Sequence, residues 1–184
     1  MLIKKIFFYI IFITTIFTNS TNLFAQFSVG LNFEPFVMNG DVSTQGVSIL
    51  GASAAIGYQF DSTKSISLRA GIYSRDADGR FFAGSNYSLI GRFAYNNSLY
   101  GLTGLSVYVN GGTSSMSGRI TNRTIALLNL GLGMKPLSWL HIENIILIPV
   151  GGREFASVVY WYSYTTHYKV DYIYKFNLGF ELQF

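Results

Sequence analysis

The sequence predicts an all-β chain, an eight-stranded antiparallel up-and-down transmembrane β-barrel, and three observations lead there. Its 184 residues are 49% hydrophobic and 17% aromatic but only 12% charged, about half the charged share of a soluble domain. Apolar and polar residues alternate with period two, the signature of strands with two unlike faces. Short turns alternate with long loops, as in a meander whose two rims differ. The 19 glycines and 3 prolines punctuate this pattern without the composition of a disordered chain. The absence of cysteine excludes disulfides, thiolate metal sites and cysteine nucleophiles.

The chain opens with Lys4 and Lys5, an apolar run from Ile6 to Thr18, and Leu23-Phe24-Ala25. That order is a secretory signal peptide with cleavage expected after Ala25. The apolar run is shorter than the ~20 residues of a spanning helix. The predicted domains are therefore residues 1–25 as signal and 26–184 as barrel. Without Lys4 and Lys5, 11 basic residues face 9 acidic ones, so the footprint of a nucleic-acid-binding protein is missing.

Eight strands follow. The first, near Phe27 to Val37, sets Phe27, Val29, Leu31 and Phe33 against Ser28, Gly30, Asn32 and Glu34. The second, near Val47 to Phe60, sets Ala52, Ala54, Ile56, Tyr58 and Phe60 against Gly51, Ser53, Gly57 and Gln59. The third, near Ser65 to Arg75, opposes Ile66, Leu68, Ala70 and Ile72 to Ser67, Arg69, Gly71 and Tyr73. The fourth, near Ala83 to Tyr95, opposes Tyr87, Leu89, Phe93 and Tyr95 to Asn86, Ser88 and Arg92. The fifth, near Leu99 to Val109, alternates less cleanly, with Leu105, Val107 and Val109 against Gly104, Ser106 and Tyr108. The sixth, near Asn122 to Met134, places Ala126, Leu128, Leu130, Leu132 and Met134 opposite Asn129, Gly131 and Gly133. The seventh, near Trp139 to Pro149, places Leu140, Ile142, Ile146 and Ile148 opposite His141 and Glu143, with Asn144 a polar misfit on the greasy side that calls for either a bulge shifting the register or a neighbour for its amide. The last runs from Val170 to Phe184, its even-numbered positions almost all bulky and apolar.

Asp61-Ser62-Thr63, Asn96-Asn97 and Lys135-Pro136-Leu137 form short turns on one rim. Residues 38–46, 75–84, 110–121 and 151–168 form long loops on the other. The polar faces are mostly Gly, Ser and Asn, too small to be the solvated side of a soluble barrel. They suit a narrow barrel interior, and the bulky faces then meet hydrocarbon, where only a closed ring pairs every backbone group. Interfacial aromatics are expected at the short-turn rim (Phe27, Tyr58, Phe60, Tyr95, Tyr100, Trp139, Phe184) and at the long-loop rim (Phe36, Phe81, Tyr87, Trp161, Tyr172). The acids and bases among the inward-facing Glu34, Gln59, Arg69, Arg92, His141, Glu143, Lys175, Asn177 and Glu181 balance, which predicts a salt-bridged polar plug rather than a charged channel.

The ending Asn177-Leu178-Gly179-Phe180-Glu181-Leu182-Gln183-Phe184 resembles the C-terminal assembly signal of outer-membrane barrels, carried on Asn177, Gly179, Leu182 and Phe184. Segments such as Ile56-Gly57-Tyr58-Gln59-Phe60 and Leu130-Gly131-Leu132-Gly133-Met134 complete a likeness to small eight-stranded outer-membrane proteins of the OmpA/OmpX type. The resemblance implies location in the bacterial outer membrane, lipids and lipopolysaccharide as surroundings, and recognition of the last strand by the barrel assembly machinery through strand addition.

No cofactor, metal spacing or phosphate loop is expected, and no catalytic residue is assigned. Ser163, His167 and Asp171 share a strand face, but four residues of strand span about 13 Å, too far for one hydrogen-bonded triad. The activity expected is non-enzymatic: envelope structure, surface interaction or an accessory role, with an envelope protein partner at the outer loops. A narrow porin-like pore is the alternative, and a lipid-modifying or protease barrel a more distant one. Arg75, Asp76, Asp78, Arg80, Arg119, Arg123, Arg153, Glu154 and Lys169 lie on or beside the outer rim, where cations suit lipopolysaccharide phosphates. Tyr160 to Tyr164 are expected to extend the last hairpin or to pair with a partner strand.

Overall fold

The computed structural model describes residues 26–40, 50–74, 82–111, 118–160 and 165–184. The signal segment, Phe81, Trp161, Ser163 and parts of the expected long loops lie outside these residues. Among the described residues eleven strands occur in the order β1 (Gln26–Phe33), β2 (Phe36–Gly40), β3 (Leu50–Gln59), β4 (Lys64–Ser74), β5 (Ala83–Ala94), β6 (Leu99–Asn110), β7 (Gly118–Asn122), β8 (Thr124–Leu137), β9 (Leu140–Pro149), β10 (Glu154–Tyr160) and β11 (Thr165–Gln183). Eight of them form the ring β1-β3-β4-β5-β6-β8-β9-β11, closed by antiparallel pairing of β11 with β1 from Ser28↔Gln183 to Phe33↔Leu178. Phe184 N donates to Phe27 O at 2.9 Å, so the seam is bonded to its last residue. Closure leaves the ring no edge, the condition for β-structure in hydrocarbon.

The three short strands are continuations of staves. Pro35, which has no N–H, separates β1 from β2; its carbonyl accepts from Phe176 N at 3.0 Å, and β2 resumes the pairing with β11. Arg123 similarly separates β7 from β8, and residues 150–153, with Gly151 at φ 115°, separate β9 from β10. β7 pairs with β10, and β10 with the first residues of β11. The 19-residue β11 is about 60 Å long at ~3.3 Å per residue. A span needs only ~9 to 11 tilted residues, so the β7–β10–β11 sheet rises beyond the ring at the long-loop side.

This sheet occupies ground that the sequence reading treated as loop. β11 begins five residues earlier than expected, and β7 and β10 lie within or beside the 110–121 and 151–168 segments. β10 buries Phe155, Ala156, Ser157 and Val158 in succession, which hides the period-two pattern.

On the short-turn rim, side chains fasten the hairpins. Asp61 Oδ1 accepts from Thr63 N, Thr63 Oγ1 and Lys64 N at 2.7, 2.7 and 2.9 Å. Asn96 Oδ1 accepts from Ser98 N and Leu99 N at 2.9 and 2.8 Å. These are Asx turns, in which a side chain stands in for a backbone acceptor. Burial would raise the Asp61 pKa, but the hydrogen bonds from Thr63 and Lys64 and the Lys64 charge outweigh it and hold the carboxyl below its ordinary value.

The ring is inside out relative to a soluble barrel. Leu31 is 67% exposed, Ile72 69% and Leu132 65%, whereas Arg69 is 1% and Glu143 0% exposed. Phe27, Tyr58 and Phe60 form an edge-to-face cluster at the short-turn rim, and Trp139 stacks on Phe180 with centroids 5.9 Å apart. Two expected girdle residues are not in the girdle: Tyr100 and Phe36 are 6% and 3% exposed and face inward.

Candidate functional site: the barrel interior

Three kinds of contents fill the barrel. The ionic cluster is built around Glu143 of β9. Its carboxylate meets Arg69 Nη2 of β4 at 2.8 Å and Arg92 Nε of β5 at 3.0 Å. Tyr100 Oη of β6 donates to it at 2.9 Å, and Asn177 Nδ2 of β11 donates to its other oxygen. Four strands thus converge on one fully buried carboxylate, and each donor offsets part of the cost of burying it.

Glu34, beside Pro35, takes Lys175 Nζ at 3.1 Å, Ser53 Oγ at 2.9 Å and Arg69 Nη1 at 3.8 Å. Glu181 takes Arg92 Nη1 at 2.8 Å, and His141 Nε2 lies 2.8 Å from the same oxygen. Asn177 Nδ2 also reaches Asn32 Oδ1 at 3.3 Å, and Arg92 stands 5.6 Å from the Tyr100 ring centroid. Glu34, Arg69, Arg92, His141, Glu143, Lys175, Asn177 and Glu181 therefore lie in one connected cluster. Gln59 lies apart at the short-turn rim, accepting from Gln183 Nε2 at 3.1 Å and donating to Asp61 O at 2.9 Å.

Tyr100 is the member that sequence reasoning did not assign here. Its place depends on Gly133 of the paired strand, where an added Cβ would overlap the phenol ring. The signal available in the sequence was parity, since Tyr100 is an even number of residues from Ser106 and Tyr108.

Toward the long-loop side the interior becomes apolar. Phe36, Tyr73, Phe82, Tyr108 and Phe155 pack together, with Tyr73 and Phe82 centroids 4.7 Å apart and Phe82 and Phe155 5.0 Å apart. Met38, Ile125, Leu127, Leu147 and Ile173 are buried in the same cluster. The expectation of a small and ionic interior is corrected in this half. Large rings fill the inward positions at this end, and the Tyr73 hydroxyl donates to the buried Asn110 Oδ1 at 3.5 Å. A neutral rung of Ser88, Ser106 and Asn129, linked at 2.7 and 3.0 Å, supplements these two sets.

On the short-turn side a half-open polar vestibule of about 460 Å³ leads to Arg92, Tyr100, His141 and Glu181. Among the described residues no group of acids and histidines could hold a metal ion. His167 Nδ1 lies 3.1 Å from Glu154 Oε1, and Asp171 pairs with Arg153 at 3.0 Å. These two members of the weighed triad therefore have separate partners. Asn144 keeps the regular register and faces outward, where its Oδ1 accepts from Tyr174 Oη at 2.6 Å; the neighbour, not a bulge, accommodates it.

The closed ring, the apolar exterior and the ionic interior define a transmembrane β-barrel of the small outer-membrane kind. No protein-family model and no curated protein sequence matches the chain. Among solved structures, it is similar to the N-terminal β-barrel domain of Pseudomonas aeruginosa OprF, with 17% identity, a TM-score of 0.47, and 84% of this chain and 97% of that one covered. It is also similar to the attachment invasion locus protein Ail of Yersinia pestis, solved with a heparin analogue (16%, TM-score 0.48, 86% and 99% covered). A third similarity is to Neisserial surface protein A (12%, TM-score 0.49, 86% and 97% covered). The fold assignment stands on the pairing and burial described above.

Proposed function

We propose that this chain is an integral protein of the bacterial outer membrane whose filled barrel is a rigid, non-conducting anchor for the β7–β10–β11 sheet, which acts at the cell surface in adhesion or as part of an envelope complex. The observation that carries this reading is the stacking of contents inside the ring: an ionic cluster centred on Glu143 and an apolar cluster beyond it. An eight-stranded ring is just wide enough for side chains to fill. Arg119, Arg123 and Arg153 beside the raised sheet supply cations suited to lipopolysaccharide phosphates, and the β11 end, with Asn177, Gly179, Leu182 and Phe184, supplies the strand for the assembly machinery.

Reconstitution in planar bilayers tests the anchor reading. Steady membranes without discrete current steps are expected, and reproducible unitary steps support a narrow pore instead. That second reading draws on the vestibule, which already admits solvent as far as Arg92.

A further inference from the structure

We propose that the short-turn vestibule is a binding site for the phosphate ester of a small polyol, either free or as a lipid headgroup. The chamber of about 460 Å³ lies within the ~300 to 1,000 Å³ of small-molecule sites, and its lining is a built polar surface. Two groups on the chamber wall bear on its chemistry. Lys135 on β8 has the inward parity of Gly131 and Gly133 and is half-buried in the chamber wall. Its ammonium has no ion-pair partner within 4.0 Å among the described residues. His141 has 4% side-chain exposure, yet its Nε2 has no hydrogen-bond partner in line, although Glu181 Oε2 is 2.8 Å away.

Among the described residues the other charged groups lining the chamber are Asp61, Lys64, Arg92 and Glu181, and each has a partner of its own. Arg92 is held by Glu143 and Glu181. Asp61 is occupied by Thr63 and Lys64 of its own turn. Among the described residues that leaves the Lys135 ammonium on the wall, and an oxyanion accepts naturally from an ammonium group. The Glu181 carboxylate on the floor disfavours a second anionic group. A single phosphate head toward Lys135, with hydroxyls toward Gln59 and Gln183, fits that arrangement. The mouth opens at the short-turn rim, level with the headgroups of one leaflet, so a lipid and a soluble ester have equal access.

The full chain, refolded in octyl glucoside micelles at fixed ionic strength, is titrated separately with glycerol 3-phosphate and with dihexanoylphosphatidylglycerol. The readouts are calorimetry and the imidazole ¹⁵N shifts. Saturable binding with a shift at His141 and none at the remote His167 is expected, weakened at least tenfold in Lys135→Gln and retained in Lys135→Arg. Binding of the free ester assigns a soluble ligand, and binding of the short-chain lipid alone assigns a headgroup. Heat-dependent gel mobility checks that each variant is a closed barrel. The proposal is overturned when neither probe moves His141, or when folded Lys135→Gln binds as tightly as the parent.

Discussion

Glu143 is 0% exposed and is touched by Arg69, Arg92, Tyr100 and Asn177, so at the scale of single residues the interior depends on matched charge more than on any one bond. Removing one member of a buried pair leaves the other desolvated and unpaired, at a typical cost of about 3 to 5 kcal/mol. Arg69→Ala is therefore expected to lower unfolding stability by an amount in that range, read from urea titration in micelles. The double variant Arg69→Met, Glu143→Gln removes both charges and is expected to lose less than the sum of the single changes. Gly133→Val tests the packing beneath Tyr100: the ring must move off Glu143, and destabilisation of about 2 kcal/mol or more is expected from combined overpacking and a lost buried hydrogen bond. The inward charged residues were legible in the sequence because alternation alone assigns a face. Their pairing was not, since Arg69 and Glu143 are 74 positions apart and only closure of the ring brings β4 opposite β9.

At the scale of elements, turn chemistry and strand parity explain most of the hairpins. The Asp61 carboxylate caps its turn by three short hydrogen bonds and is held below its ordinary pKa. A depressed folded-state value means that its contribution is present above the unfolded pKa, about 3.9, and is lost as pH falls through the folded value. Asp61→Asn is accordingly expected to lower stability at neutral pH and to flatten the decline below about pH 4, measured by urea titration across pH. Strand parity was readable wherever one face met lipid. Tyr73 and Tyr108 already fell on the polar side of their strands, but their clustering with Phe36, Phe82 and Phe155 depends on four strands and the residue before β5 meeting at the outer mouth. β7 and β10 were not legible because they are short, adjoin breaks at Arg123 and Gly151, and in β10 bury consecutive residues. None of these features leaves a period-two trace.

For the molecule as a whole, the decisive property is which surface of the ring contacts lipid. Exposed Leu31, Ile56, Leu68, Ile72, Leu132 and Leu182 form an apolar exterior far beyond what soluble proteins tolerate as isolated patches. The ionic cluster on the other surface has almost no access to solvent. This polarity was legible from composition and alternation together, because 12% charged residues cannot coat a water-facing shell. The chain has no native cysteine, so nitroxide labels can be placed one at a time at Leu68, Ile72 and Leu132 in lipid bilayers. Collision with oxygen and shielding from a water-soluble nickel chelate are expected at all three positions. Ready access of the nickel chelate to these labels would contradict the inside-out barrel.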